Sequence, residues 1–279
     1  MRAKRTSLLM QILIYATLLT ICAFVLVPLA WFVVTSLKTT AMVTAYPPKW
    51  IPTPLTGMNY KAVVLGSNMP RYFFNSTVVA IGTIVLTLLL SSLAGYATAR
   101  FNFRGKNSIL FAILATSMIP GIAILPSLYM LSVQLGLHDT YSVLIIVFSA
   151  WQIPSVVWIM RGFFESIPRS LDEAALVDGC NLVQCLWRII LPISQPGLAA
   201  SAILVFVYVW NDWLLAITLT ISEKMRLVPV GLYNYIKDLG VEWGKFTAYT
   251  ILSIVPVIVL FLLLQTRFIE GLTAGAHKG

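Results

Sequence analysis

Between positions 161 and 188 stand four carboxylates (Glu165, Asp172, Glu173, Asp178) and three arginines (Arg161, Arg169, Arg188), in a chain that is only 10% charged. Elsewhere, side chains that could do chemistry are sparse. Two histidines, His138 and His277, are too few for a histidine metal site. Cys22, Cys180 and Cys185 form neither a disulfide framework nor a zinc-ligand spacing. No G-x-x-x-x-G-K-[ST] phosphate loop occurs, so any ATP that drives this protein must be hydrolysed by another chain. No zinc-protease motif, paired intramembrane carboxylates or Ser/His arrangement points to an enzyme. One carboxylate is out of place: Asp212 lies well inside an apolar run, beside Trp210, Asn211 and Trp213. Such a group costs about 2.5–3.5 kcal/mol on insertion scales and must face a bundle interior or water.

The elements that carry these residues are apolar. The 279 residues are 59% hydrophobic, whereas soluble domains carry roughly a quarter charged residues. The expected class is an all-α polytopic membrane protein. Net charge is +9, but the basic residues flank apolar runs, which is the pattern of membrane orientation and not of nucleic-acid binding. Segments of roughly 20 apolar residues predict six spans, near residues 11–35, 72–99, 109–135, 141–160, 196–221 and 246–265. They belong to one transmembrane domain over residues 1–279. Residues 161–195 form a long loop between spans four and five, and 267–279 a tail. The first run is too long for a cleavable signal and lacks a small-residue cleavage site.

Short loops set the orientation. Arg100, Arg104 and Lys106 follow span two without an acid, while only His138 and Asp139 follow span three. The positive-inside bias then places both termini and residues 161–195 on the cytoplasmic side of the membrane. The long first external segment, with Lys38, Lys49, Lys61 and Arg71, is an exception that long loops tolerate. Breakers at Pro28, Pro120 with Gly121, Pro126, Pro154 and Pro256 suit a bundle that opens and closes, or one that is simply kinked by packing.

Inside the charged interval, "SLDEAALVDGCNLVQCLWRIILP" (residues 170–192) reads as two short helices. Ser170 and Glu173 have capping-box spacing, and Asp172 and Glu173 suit a helix N-terminus. Gly179 is a helix stop, and Asn181 a second cap. Leu182, Val183, Leu186, Trp187, Ile189 and Ile190 recur at helical spacing as one apolar face. Two readings stay open here: a hairpin resting on the bundle or on lipid headgroups, and a docking surface.

This interval resembles the "EAA loop" of permease subunits in binding-protein-dependent ABC importers. The match is E-A-A, three residues, G, nine residues, I, one residue, L-P: Glu173, Ala174, Ala175, Gly179, Ile189, Leu191 and Pro192. Cys180 stands where that family usually has alanine, and Trp187 where it often has phenylalanine. "AGYATARFNFRGK" (94–106), "GLHDTYSVLI" (136–145) and "WNDWLLAITL" (210–219) resemble the carbohydrate branch. "GLTAGAHKG" (271–279) is similar to the end of maltose-type second permease subunits, with His277 where valine is common.

The resemblance implies a type I ABC importer permease that moves a sugar or oligosaccharide inward, with no cofactor of its own. ATP and magnesium belong on a partner ATPase. The implied partners are a second, different permease chain, two cytoplasmic ATPase subunits, an extracellular or periplasmic solute-binding protein, the carbohydrate and membrane lipid. Glu173, Ala174, Ala175, Asp178, Gly179, Ile189, Leu191 and Pro192 would dock an ATPase, and Gly271, Gly275, Lys278 and Gly279 of the tail would reach it. Asn211, Asp212 and Trp210 are candidates for a substrate path or gate, or for interhelical hydrogen bonding. The segments at 38–71 and 222–245 could meet the binding protein. An ion-coupled secondary transporter is the alternative. It would want an intramembrane relay, for which only Asp212 is available.

Overall fold

A computed structural model of the protein describes residues 8–238 and 240–276, with side chains through Thr266. In chain order its helices begin with α1 (Leu8–Ser36), the single turn α2 (Thr40–Val43), α3 (Met58–Leu65) and α4 (Met69–Arg100). There follow α5 (Lys106–Thr116), α6 (Gly121–Gln134), α7 (Tyr141–Ser166), α8 (Ser170–Val177), α9 (Leu182–Cys185) and α10 (Leu191–Ile193). The last are α11 (Gln195–Asn211), α12 (Leu214–Leu219), α13 (Val228–Gly231) and α14 (Trp243–Ala276). A π-turn, Leu186–Ile190, joins α9 to α10, and a short antiparallel pair, β1 (Ile236–Lys237) with β2 (Gly240–Val241), precedes α14.

Among the described residues four helices are long and apolar enough to cross a membrane: α1, α4, α7 and the Trp243–Thr266 part of α14. The count rises to six if each of two bent pairs is one span. The single helix expected over 109–135 is instead α5 and α6, bent by 90°. Pro120 leaves the helical region, and the indole of Trp151 packs so closely on Gly121 that a Cβ there would lie 2.6 Å from it. The helix expected over 196–221 also divides, because Asp212 turns out of the helix and α12 starts afresh. The second bent pair joins residues 182–193 to α11 at 80°.

The described residues form two compact units. One comprises the chain up to Ser67 with Leu232–Ile254, the other Asn68–Gly231 with the chain from Val255. In the first unit α1 is apolar all round, and only Thr35 and Ser36 at its end are buried. The side-chain amide of Asn59 donates to the carbonyls of Ser36 and Lys38, each at 2.8 Å, fixing the turn after α1. The hydroxyls of Ser36 and Tyr60 add a hydrogen bond of 2.7 Å.

The core of the second unit is α4 packed on α7, with α11 against both. The inward stripe of α4 is small and polar: Ser76, Thr83, Thr87, Ser91, Ser92 and Gly95 are buried. Small residues let helix backbones approach, which is how apolar helices associate where lipid is as greasy as leucine. At Gly95 the two backbones come close, since a Cβ would lie 3.1 Å from the Arg161 backbone nitrogen. At the opposite end of α4 a polar clamp holds residues 221–228. Asn75 donates to the carbonyls of Lys224 and Arg226, at 2.9 and 2.8 Å. Tyr141 donates to Asn75 at 2.6 Å, and Glu223 accepts from Tyr72, Asn68 and Arg226.

Candidate functional site

The charged interval folds as a hairpin of α8 and α9 closed by Gly179, whose φ of +84° is the left-handed conformation that glycine adopts freely. Asn181 and Gln184 cap α9 reciprocally, with bonds of 2.8 and 2.9 Å. The cap expected at Ser170 does not form. Ser170 is already inside α8, and the Glu173 amide bonds to the Arg169 carbonyl at 3.1 Å. The turn that opens with Pro168 supplies these acceptors, so the serine oxygen is not needed there. Glu173 is exposed, and its carboxylate makes no hydrogen bond or ion pair among the described residues.

Asp172 has the opposite fate. Its carboxylate meets Arg100 at 2.9 Å, both side chains being largely buried, and accepts from Tyr96 Oη at 2.8 Å and from Cys185 Sγ at 3.6 Å. Arg100 also donates to the Ile167 carbonyl at 3.1 Å, and Arg169 to the Ala99 carbonyl at 3.4 Å. Burial pushes the Cys185 thiol up, so it remains a protonated donor. One buried carboxylate thus joins the last turn of α4 to both helices of the hairpin. Sequence reasoning gave Asp172 only a dipole role, Arg100 only a part in setting the orientation, and Tyr96 none. The available signal was Arg100 at the end of a long apolar helix, where a cation suits the dipole and needs an anion if covered.

The predicted apolar face of the second helix is split. Leu186 and Ile190 are buried and Ile189 is half-buried, while Leu182, Val183 and Trp187 are exposed. The second half of this face, Leu186–Ile190, is a π-turn with wider i→i+5 bonding, so it does not continue the spacing of an ideal α-helix. Of the remaining motif residues, Ala175 and Leu191 are buried within this chain, whereas Ala174, Asp178, Gly179 and Pro192 are exposed. The outer edge of the hairpin therefore combines Leu176, Val177 (88% exposed), Leu182, Val183 and Trp187 with Glu173 and Asp178.

The structure places Trp210 and Asn211 in the last turn of α11 and Asp212 at its end. Trp210 is buried, with Phe206 stacked on it at 5.1 Å and Phe73 edge-on at 5.7 Å. Asn211 Nδ2 donates to the Val207 carbonyl at 2.7 Å, and Asp212 Oδ1 accepts from the Leu215 amide at 2.8 Å, capping α12. Gly271 and Gly275 lie on the α14 backbone, and Lys278 and Gly279 lie outside the described residues. Among the described residues no His, Cys, Asp and Glu cluster could hold a metal ion.

Residues 88–270, which include the hairpin, match the family model for the binding-protein-dependent transport system inner membrane component. The chain is 36% identical to the sulfoquinovosyl glycerol transport system permease of Agrobacterium fabrum, over 91% of this chain and 89% of that one. It is 34% identical to the trehalose/maltose transport system permease of Thermococcus litoralis over 99% of both. Its fold superposes with a TM-score of 0.82 at 25% identity on a chain of a bacterial ABC transporter involved in importing the acidic polysaccharide alginate, covering 95% of this chain and 99% of that one. With the broken spans, the helix-bundle core and the hairpin all inside these matches, the chain belongs to the inner-membrane components of binding-protein-dependent transport systems: it is a multi-pass permease subunit, not an enzyme.

Proposed function

We propose that this permease is half of the channel of an ATP-driven importer that carries a sugar or oligosaccharide into the cytoplasm, with the α8–α9 hairpin as its link to the ATPase. The reading rests on the division of labour between adjacent carboxylates: that of Asp172 is largely buried and ties the hairpin to α4, while that of Glu173 is exposed and unengaged. A hairpin pinned in this way transmits displacement to α4 and α11 instead of absorbing it. Its outer edge, apolar with two acids, suits a cleft with apolar walls and a basic residue. ATP and magnesium then reside on two such ATPase subunits. A second, different permease chain completes the channel, a binding protein delivers the solute from outside, and both termini face the cytoplasm. The names of the relatives support a carbohydrate as cargo. Asp212 supports the ATP-driven reading over ion coupling, since its carboxylate serves as a helix cap.

Glu173→Gln is the direct test, read in membranes by co-purification of the ATPase and uptake of labelled sugar. The proposal expects normal abundance of the permease, at least tenfold less retained ATPase (about 1.4 kcal/mol) and uptake reduced in step. Normal uptake with the ATPase retained would remove Glu173 from coupling.

A further inference from the structure

Lys38, in the turn after α1, is only 3% exposed. Its Nζ lies 3.9 Å from the centroid of the Trp31 ring. A buried ammonium needs a counter-charge as well as an aromatic face, and this one has none: among the described residues no carboxylate pairs with it. The sequence explains the deficit, because no aspartate or glutamate occurs before Asp139. Within the same compact unit the acids are Asp238 and Glu242, and Glu242 is 2.9 Å from Lys245. Burial lowers the pKa of Lys38, the expected response of a cation kept from water without an anion.

Lys38 lines a cavity of about 230 Å³ together with Trp31, Phe32, Thr35, Val43 and Trp243. That is several times the roughly 30 Å³ share of one water. A second lining residue brings an unmet polar group: Thr35 Oγ1 is buried and has no hydrogen-bond partner among the described residues. The backbone around Lys38 is held by Asn59, so the ammonium is presented from a fixed turn. The rest of the lining is apolar apart from Thr247, whose hydroxyl is already spent on the Trp243 carbonyl at 2.7 Å, and the setting is that of a membrane interface. The cavity lies where an apolar helix with exposed Leu, Ile and Phe side chains ends, among Trp31, Trp50 and Trp243.

We propose that this cavity binds the headgroup of an anionic phospholipid, its phosphate paired with Lys38 and hydrogen-bonded by Thr35, and its glycerol end against the tryptophans. An anion joined to an apolar body satisfies the ammonium, the hydroxyl and the apolar walls at once. The proposal is independent of the transport reading, because it concerns lipid alone.

The test uses the assembled transporter in nanodiscs of phosphatidylcholine with and without phosphatidylglycerol, with retained lipid counted by native mass spectrometry. Wild type is expected to retain phosphatidylglycerol with about tenfold preference over phosphatidylcholine. Lys38→Gln should abolish that preference, and Lys61→Gln, which removes an exposed lysine of the same unit, should leave it intact. If Lys38→Gln fails to assemble, Thr35→Val takes its place, with a smaller loss of preference expected. Millimolar inorganic phosphate should not displace the lipid. No preference in wild type, a preference retained in both cavity variants, displacement by free phosphate, or a carboxylate of a partner subunit cross-linked to Lys38 would each overturn the proposal.

Discussion

Arg100 and Asp172 show how far a residue's role depends on its partner. Removing one member of a buried ion pair typically costs about 3–5 kcal/mol, because the other is left charged and unpaired. Arg100→Met is therefore expected to deplete the permease from the membrane or lower its thermal midpoint sharply, while Arg100→Met/Asp172→Leu recovers much of the loss. Equal melting of the single and double variants would show that the pair is not coupled. Glu223 gives a pH-dependent counterpart. Donation from Tyr72, outweighing the cost of partial burial and joined by Asn68 and Arg226, holds its carboxyl below the usual carboxylate range. A lowered folded pKa stabilises the clamp above the unfolded value, near 4.3, and that contribution fades as pH falls through the folded value. Glu223→Gln should flatten the acid limb of a thermal-stability profile between about pH 5 and 3.

The hairpin is decided by caps and by one break in periodicity. Gly179→Ala forces a side chain into the left-handed region at roughly 1–2 kcal/mol. Asn181→Ala removes a reciprocal cap worth about 1 kcal/mol. Both should loosen the turn while leaving the buried Asp172 anchor, so the expected phenotype is faster amide exchange across residues 177–185 with the exchange of α4 unchanged. Exchange that rises equally in α4 would mean that hairpin and bundle open together. The stop at Gly179 and the cap at Asn181 were legible because each is a local rule. The failed cap at Ser170 and the split apolar face were not, because the preceding turn and the π-turn depend on how the hairpin seats against its neighbours.

Across the molecule, the proposed orientation places the hairpin in the cytoplasm, and two natural thiols offer a probe. Cys180 is half-buried and Cys185 fully buried, while Cys22 lies on α1 within an apolar stretch. In a Cys22→Ala background, a membrane-impermeant maleimide should label Cys180 in inside-out vesicles and not in sealed right-side-out ones. The reverse pattern would invert the topology.

Composition and the length of the apolar runs by themselves determined a helical membrane protein, and the fixed spacing of the hairpin motif pointed to its family. Both are properties of the chain read in order: hydropathy selects helices that satisfy their own backbone in lipid, and motif spacing survives without coordinates. Tertiary structure decided which side chains meet. It turned Asp172 inward to Arg100 and left Glu173 outside, although the two are neighbours with the same charge. It broke the spans expected at 109–135 and 196–221, and it enclosed Lys38 without an anion. Those outcomes rest on contacts between residues far apart in sequence, whose energies depend on burial and distance, and a one-dimensional pattern carries neither.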